Sequence, residues 1–149
     1  MKNLTKIVVL SALLIFSSFV YAADIETFSL TVKVDGLRNS EGTVQFALYN
    51  KDGSIPDQQY KKYYRKQTVK INNGSAYVVF KDLPEGRYAV NALHDENMNG
   101  KIDKGFILPT EGIGFTNYTT IGLRNRPDFL KASFNLTTNE MKSIKIIYF

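Results

Sequence analysis

The chain has 149 residues, 44% of them hydrophobic and 22% charged, with no cysteine and a formal net charge of +5. That length fits one domain. The missing cysteine excludes disulfides, thiolate metal sites, thiol catalysis and a lipidated cysteine, and so mild a charge gives no argument for nucleic acid.

The N-terminus has the three parts of a secretory signal. Lys2 and Lys6 are the positive region, Ile7 to Val20 is an apolar run, and Val20-Tyr21-Ala22 suits cleavage after Ala22. The run is 14 residues long, whereas a helical span needs about 20. Cleavage is therefore expected rather than anchorage, with no transmembrane helix in what remains. The expected organisation is a signal peptide, 1–22, and one exported β-sandwich domain, 23–149, in the periplasm or outside the cell. Losing two lysines and no acids takes the net charge from +5 to near +3.

Beyond the signal the dominant period is two, which is the strand period. Leu30, Val32 and Val34 alternate with polar neighbours, as do Val44, Phe46 and Leu48. Val69 and Ile71, then Ala76, Val78 and Phe80, then Tyr88, Val90 and Ala92 continue the pattern. Ala132, Phe134 and Leu136, and finally Ile144, Ile146 and Tyr148, complete seven half-buried strands. Arg38 to Gly42, Asn72-Asn73-Gly74 and Asp82 to Gly86 supply the turns; Asn and Gly tolerate positive φ. Seven short strands with close turns predict an all-β, antiparallel two-sheet sandwich. Two long insertions interrupt it. Lys51 to Lys66 has a short helix expected over Pro56 to Tyr64, and Asp95 to Leu130 carries the chemistry.

Oxygen-bearing side chains recur at Asp95, Asn97, Asn99 and Asp103, matching positions 1, 3, 5 and 9 of the twelve-residue calcium loop. Gly100 falls at the sharp-turn position 6 and Ile102 at the apolar position 8. Lys101, at position 7, would contribute only its backbone carbonyl. A hard cation takes six to eight oxygens, and alternate residues of a tight loop can aim theirs at one centre. Position 12, ordinarily a bidentate Glu, is Phe106, and no helix pattern flanks the loop, so this is not a true EF-hand. Glu111 is the expected substitute carboxylate if the chain folds back. The predicted metal residues are thus Asp95, Asn97, Asn99, Lys101, Asp103 and Glu111, with Ca²⁺ as cofactor. The competing reading is a solvated Asn/Asp/Gly turn that binds nothing.

His94-Asp95-Glu96-Asn97 with Asn99-Gly100 and Asp103, then Pro109-Thr110-Glu111-Gly112-Ile113-Gly114-Phe115-Thr116-Asn117, resembles the bacterial DUF2141 family. So do Phe80 to Val90, the strand opening at Gly42 and the closing Ile144 to Tyr148. The resemblance implies an exported immunoglobulin-like or prealbumin-like sandwich and no established activity. Thr116 stands where the family usually has Ser, which keeps the hydroxyl.

His94, the only histidine, has inward parity at a strand end and reads as a core residue bracing the loop, with a general base as the alternative. Tyr60 to Lys66 is basic and aromatic, suiting either a polyanion or an ordinary solvated loop. Phe115, Tyr118 and Phe129 suit a ligand patch or a sheet-end cover. The expected function is a non-enzymatic binding or accessory module for an extracytoplasmic ligand or protein. A secreted hydrolase using the 94–117 loop, or a small outer-membrane β-barrel ending in Phe149, are the alternatives.

Overall fold

A computed structural model describes residues 25–149; the expected signal peptide lies outside them. The chain is all-β, with two sheets. The first eight-residue strand, β1 (Thr27–Val34), buries Leu30, Val32 and Val34 completely while Thr31 and Lys33 stay half-exposed. Then come β2 (Thr43–Tyr49), β3 (Arg65–Lys70), β4 (Ala76–Pro84), β5 (Gly86–Asp95) and β6 (Gly112–Phe115). One helical turn, α1 (Phe129–Ala132), precedes β7 (Phe134–Leu136) and β8 (Glu140–Ile144).

One sheet has the order β4-β1-β8; the other has the order β3-β2-β5-β6, with β7 extending the edge of β5 beside Gly86–Tyr88. Among the described residues there are therefore eight strands rather than the expected seven. The extra one, β6, reads Gly-Ile-Gly-Phe and offers no polar alternation to recognise. Nor is the pairing wholly antiparallel. β8 lies parallel to β1, from Leu30↔Glu140 to Val34↔Ile144, because the last strand joins the free edge of the first.

The expected turns are present but do different work. Asn72 and Ser75 exchange backbone hydrogen bonds around Asn73 and Gly74, both at positive φ. Yet β3 and β4 belong to different sheets, so this turn, like Arg38 to Gly42 and Asp82 to Gly86, carries the chain between layers. Pro56 to Tyr64 forms turns, not the expected helix. Ala132 ends α1, which Asp128 caps through Lys131 N–H, so the next strand begins at Phe134. The expected last strand stops at Ile144; beyond it only Ile147 bridges, to Ile113.

The core between the sheets gathers Leu30, Val32, Phe46, Phe80, Val90 and Leu136, among others. A second cluster lies on the opposite face of the β3-β2-β5-β6 sheet, with Ala47, Tyr49, Leu93, Ile113 and Phe115 under Ile55, Tyr60, Tyr118 and Phe129. β2 and β5 are consequently buried on both faces, not half-buried. The two insertions supply the second cover.

Candidate metal loop and its supports

β5 delivers His94 and Asp95 to the rim of its sheet, both almost fully buried. Asp95 is 2% exposed; its carboxylate accepts from Asn99 N–H at 3.0 Å and Gly100 N–H at 2.8 Å. Gly100 has φ +75°, the left-handed turn that its position requires. Asn97 Oδ1 accepts from Asn99 N–H and Asn99 Oδ1 from Lys101 N–H, each at 3.0 Å. The side-chain amides of Asn97 and Asn99 both donate to Asp103 Oδ2 at 2.6 Å.

Glu111 does fold back. It is 4% exposed, and its carboxylate accepts from Glu96 N–H at 3.1 Å and Asp103 N–H at 3.3 Å, tying the end of the insertion to its start. Burial pushes its carboxyl above the ordinary range, and the nearby Asp95 and Asp103 carboxylates push the same way, against the two backbone N–H groups. The structure thus brings together Asp95, Asn97, Asn99, Asp103 and Glu111, while the Lys101 side chain is exposed.

The donor set is entirely oxygen, as a hard cation requires. Among the described residues no three His, Cys, Asp or Glu side chains form a metal-holding group, so such a site depends on the asparagine and backbone oxygens. The present bonds are also those of a self-satisfied Asx turn, with amide nitrogens rather than oxygens on Asp103. Turning both amides over would exchange those nitrogens for oxygens.

The supports of this loop were not legible from spacing. Glu96 is gripped by Arg38, through Nε at 2.9 Å and a second guanidinium bond, and by Asn39 Nδ2 at 2.6 Å. The Arg38 guanidinium holds the Glu96 carboxyl below its usual range. Gly42 backs directly onto the Asp95–Glu96 backbone, leaving no room for a Cβ. His94 is fully buried, with Nδ1 2.7 Å from Tyr148 Oη and Nε2 3.0 Å from Glu41 O. The carbonyl can only accept, so Nε2 carries a proton, and in the neutral ring the Tyr148 hydroxyl donates to Nδ1. Both ring nitrogens are occupied, which makes His94 a brace at the loop's base.

The second motif also has a structural reason. Thr116 Oγ1 accepts from Val90 N–H at 3.0 Å and donates to Ala132 O at 2.6 Å. Asn117 Nδ2 donates to Ser133 O at 2.9 Å. The pair fastens the α1 segment against β5. Tyr60 is buried, its hydroxyl on Asn91 Oδ1, and the Lys66 ammonium sits 5.9 Å from its ring centroid. Phe115, Tyr118 and Phe129 are all buried in the outer cluster.

A family model described as "Uncharacterized protein conserved in bacteria (DUF2141)" matches residues 32–145. No curated protein and no solved structure matches the chain.

Proposed function

Since this chain belongs to the DUF2141 family, which carries no assigned activity, we propose from the loop itself that it is an exported, calcium-stabilised binding or accessory module. The observation that carries the reading is the convergence of Asp95, Asn97, Asn99, Asp103 and Glu111 on one tight turn, with two of the carboxylates buried. Burying like charges together is costly without a cation. Export supports the same reading: a loop lacking the usual position-12 Glu binds weakly and suits compartments rich in calcium. The sandwich is read as immunoglobulin-like or prealbumin-like, with the metal loop inserted between β5 and β6.

Thermal unfolding of residues 23–149 in chelator and in millimolar calcium tests the metal. For a Kd of about 0.1 mM, 1 mM calcium stabilises by about 1.4 kcal/mol. On a domain of this size that raises the Tm by about 5 °C. Coincident melts would refute it. Export is tested by sequencing the N-terminus of the mature protein, which should begin at Ala23.

A further inference from the structure

The insertions enclose a cavity of about 310 Å³ on the outer face of the β3-β2-β5-β6 sheet. Its floor is Tyr49, Asn91, Ile113 and Phe115, one or two residues from each of three strands. That volume reaches the range of small-molecule sites and far exceeds the voids of a packed core.

Its mouth is unusual in two ways. Ile107, Leu123 and Phe149, from three separate segments, line it while remaining 58%, 64% and 44% exposed. Large apolar side chains gathered around one opening, rather than scattered, mark a surface that is covered when in use. Lys104 and Arg126 also line it, and neither forms an ion pair among the described residues. The one acidic side chain in the lining, Asp57, already accepts from Lys61 N–H at 2.9 Å, Lys62 N–H at 2.7 Å and Tyr49 Oη–H at 3.4 Å.

We infer that this cavity binds a small amphipathic organic anion, its apolar body on Ile113 and Phe115 and its acidic group toward Lys104 and Arg126. The inference rests on the binding-module reading and names the ligand class. Asp57 keeps the acidic group away from the cavity's Pro56–Gln58 side. Lys104 directly follows the loop residue Asp103, so the candidate metal loop forms part of one wall.

The test uses 1-anilinonaphthalene-8-sulfonate and its uncharged relative N-phenyl-1-naphthylamine, titrated into folded protein in calcium and, separately, in chelator. The expected result is one saturable site for the sulfonate with a Kd of about tens of micromolar, as befits a ligand of that size. Binding in either buffer supports the site, so coincident calcium melts would leave this result standing. Ile107→Glu and Leu123→Glu change exposed side chains and should keep the wild-type melt while weakening the sulfonate about tenfold or more. Arg126→Gln should weaken the sulfonate about fivefold and leave the uncharged probe unchanged. Three results would overturn the inference: no saturable binding by the folded wild type, unaltered affinity in both Glu variants, or equal losses for the two probes in Arg126→Gln. So would co-sedimentation with phosphatidylglycerol vesicles, without probe binding, that is lost in Phe106→Ser. That outcome would assign the exposed run Phe106-Ile107-Leu108 to a membrane surface.

Discussion

The Tyr148 hydroxyl lies 2.7 Å from Nδ1 of His94, fastening the C-terminal segment to the end of β5 where the candidate metal loop begins. The same hydroxyl accepts from Arg38 N–H at 3.2 Å, and the Arg38 guanidinium lies 4.6 Å from the centre of the Tyr148 ring. Three distant parts of the chain meet at one phenol. Tyr148→Phe keeps the ring but strips a buried imidazole nitrogen of its partner. The expected loss is about 1–3 kcal/mol, read as a lower midpoint in urea with an unchanged slope. A midpoint equal to wild type would show that the hydroxyl is dispensable.

Two glycines of β6 record how closely that segment passes. A Cβ on Gly112 would overlap the Tyr148 ring and Ile146, and one on Gly114 would overlap the Lys145 carbonyl. Gly112→Ala and Gly114→Ala should each cost about 1–3 kcal/mol or more through forced displacement. Gly122→Ala is the control, since nothing lies within 4 Å of its added Cβ and its φ is not in the left-handed region. It should stay within about 0.5 kcal/mol of wild type. Equal stabilities for all three alanine variants would contradict the close crossing.

If calcium occupies the loop, its residues divide into side-chain donors and one that offers only backbone. Asp103→Asn should abolish the calcium-induced rise in Tm, whereas Lys101→Ala should preserve it, because the Lys101 side chain is exposed and outside the donor set. Asp95→Ala should destabilise even in chelator, by about 1–3 kcal/mol, since Gly100 N–H loses its acceptor and Asn99 N–H keeps only Asn97 Oδ1. Differential scanning of the three variants with and without calcium separates these outcomes. A full calcium response in Asp103→Asn would remove Asp103 from the site.

Alkaline pH should unfold the protein through its outer cluster. Burial raises the Tyr49 and Tyr60 phenols well above their ordinary value, and the Asp57 carboxylate near both adds to the shift. A raised folded-state pKa means that the native protein holds these protons more tightly than the unfolded chain. The stabilisation is complete below the unfolded pKa of about 10 and is lost as pH rises above it. Unfolding by circular dichroism should therefore coincide with tyrosinate absorbance for these residues. Tyr60→Phe should reduce the steepness of that pH dependence. Ionisation of every tyrosine while the fold stays intact would refute this.

How much was legible in the sequence follows from which interactions are local. Alternation in Leu30, Val32 and Val34, and in Val44, Phe46 and Leu48, is set by the strand's own two-residue period, and those residues do face the core. The Asn73-Gly74 turn and the Asp95–Asp103 loop are equally local: Asx acceptors and left-handed glycines act within a few residues. Which strands become neighbours is a different matter. The parallel seat of β8 beside β1, the second buried face of β2 and β5, and the fourth strand of a sheet made from Gly-Ile-Gly-Phe all depend on segments remote in the chain. Periodicity cannot report what covers a strand's other side, and a glycine-rich strand has too few side chains to show a period. The loop at Asp95 was thus readable from its own residues. Its clamp by Arg38, its brace through His94 and Tyr148, and the basic-rimmed cavity beside it exist only because the tertiary fold brings distant residues within bonding distance.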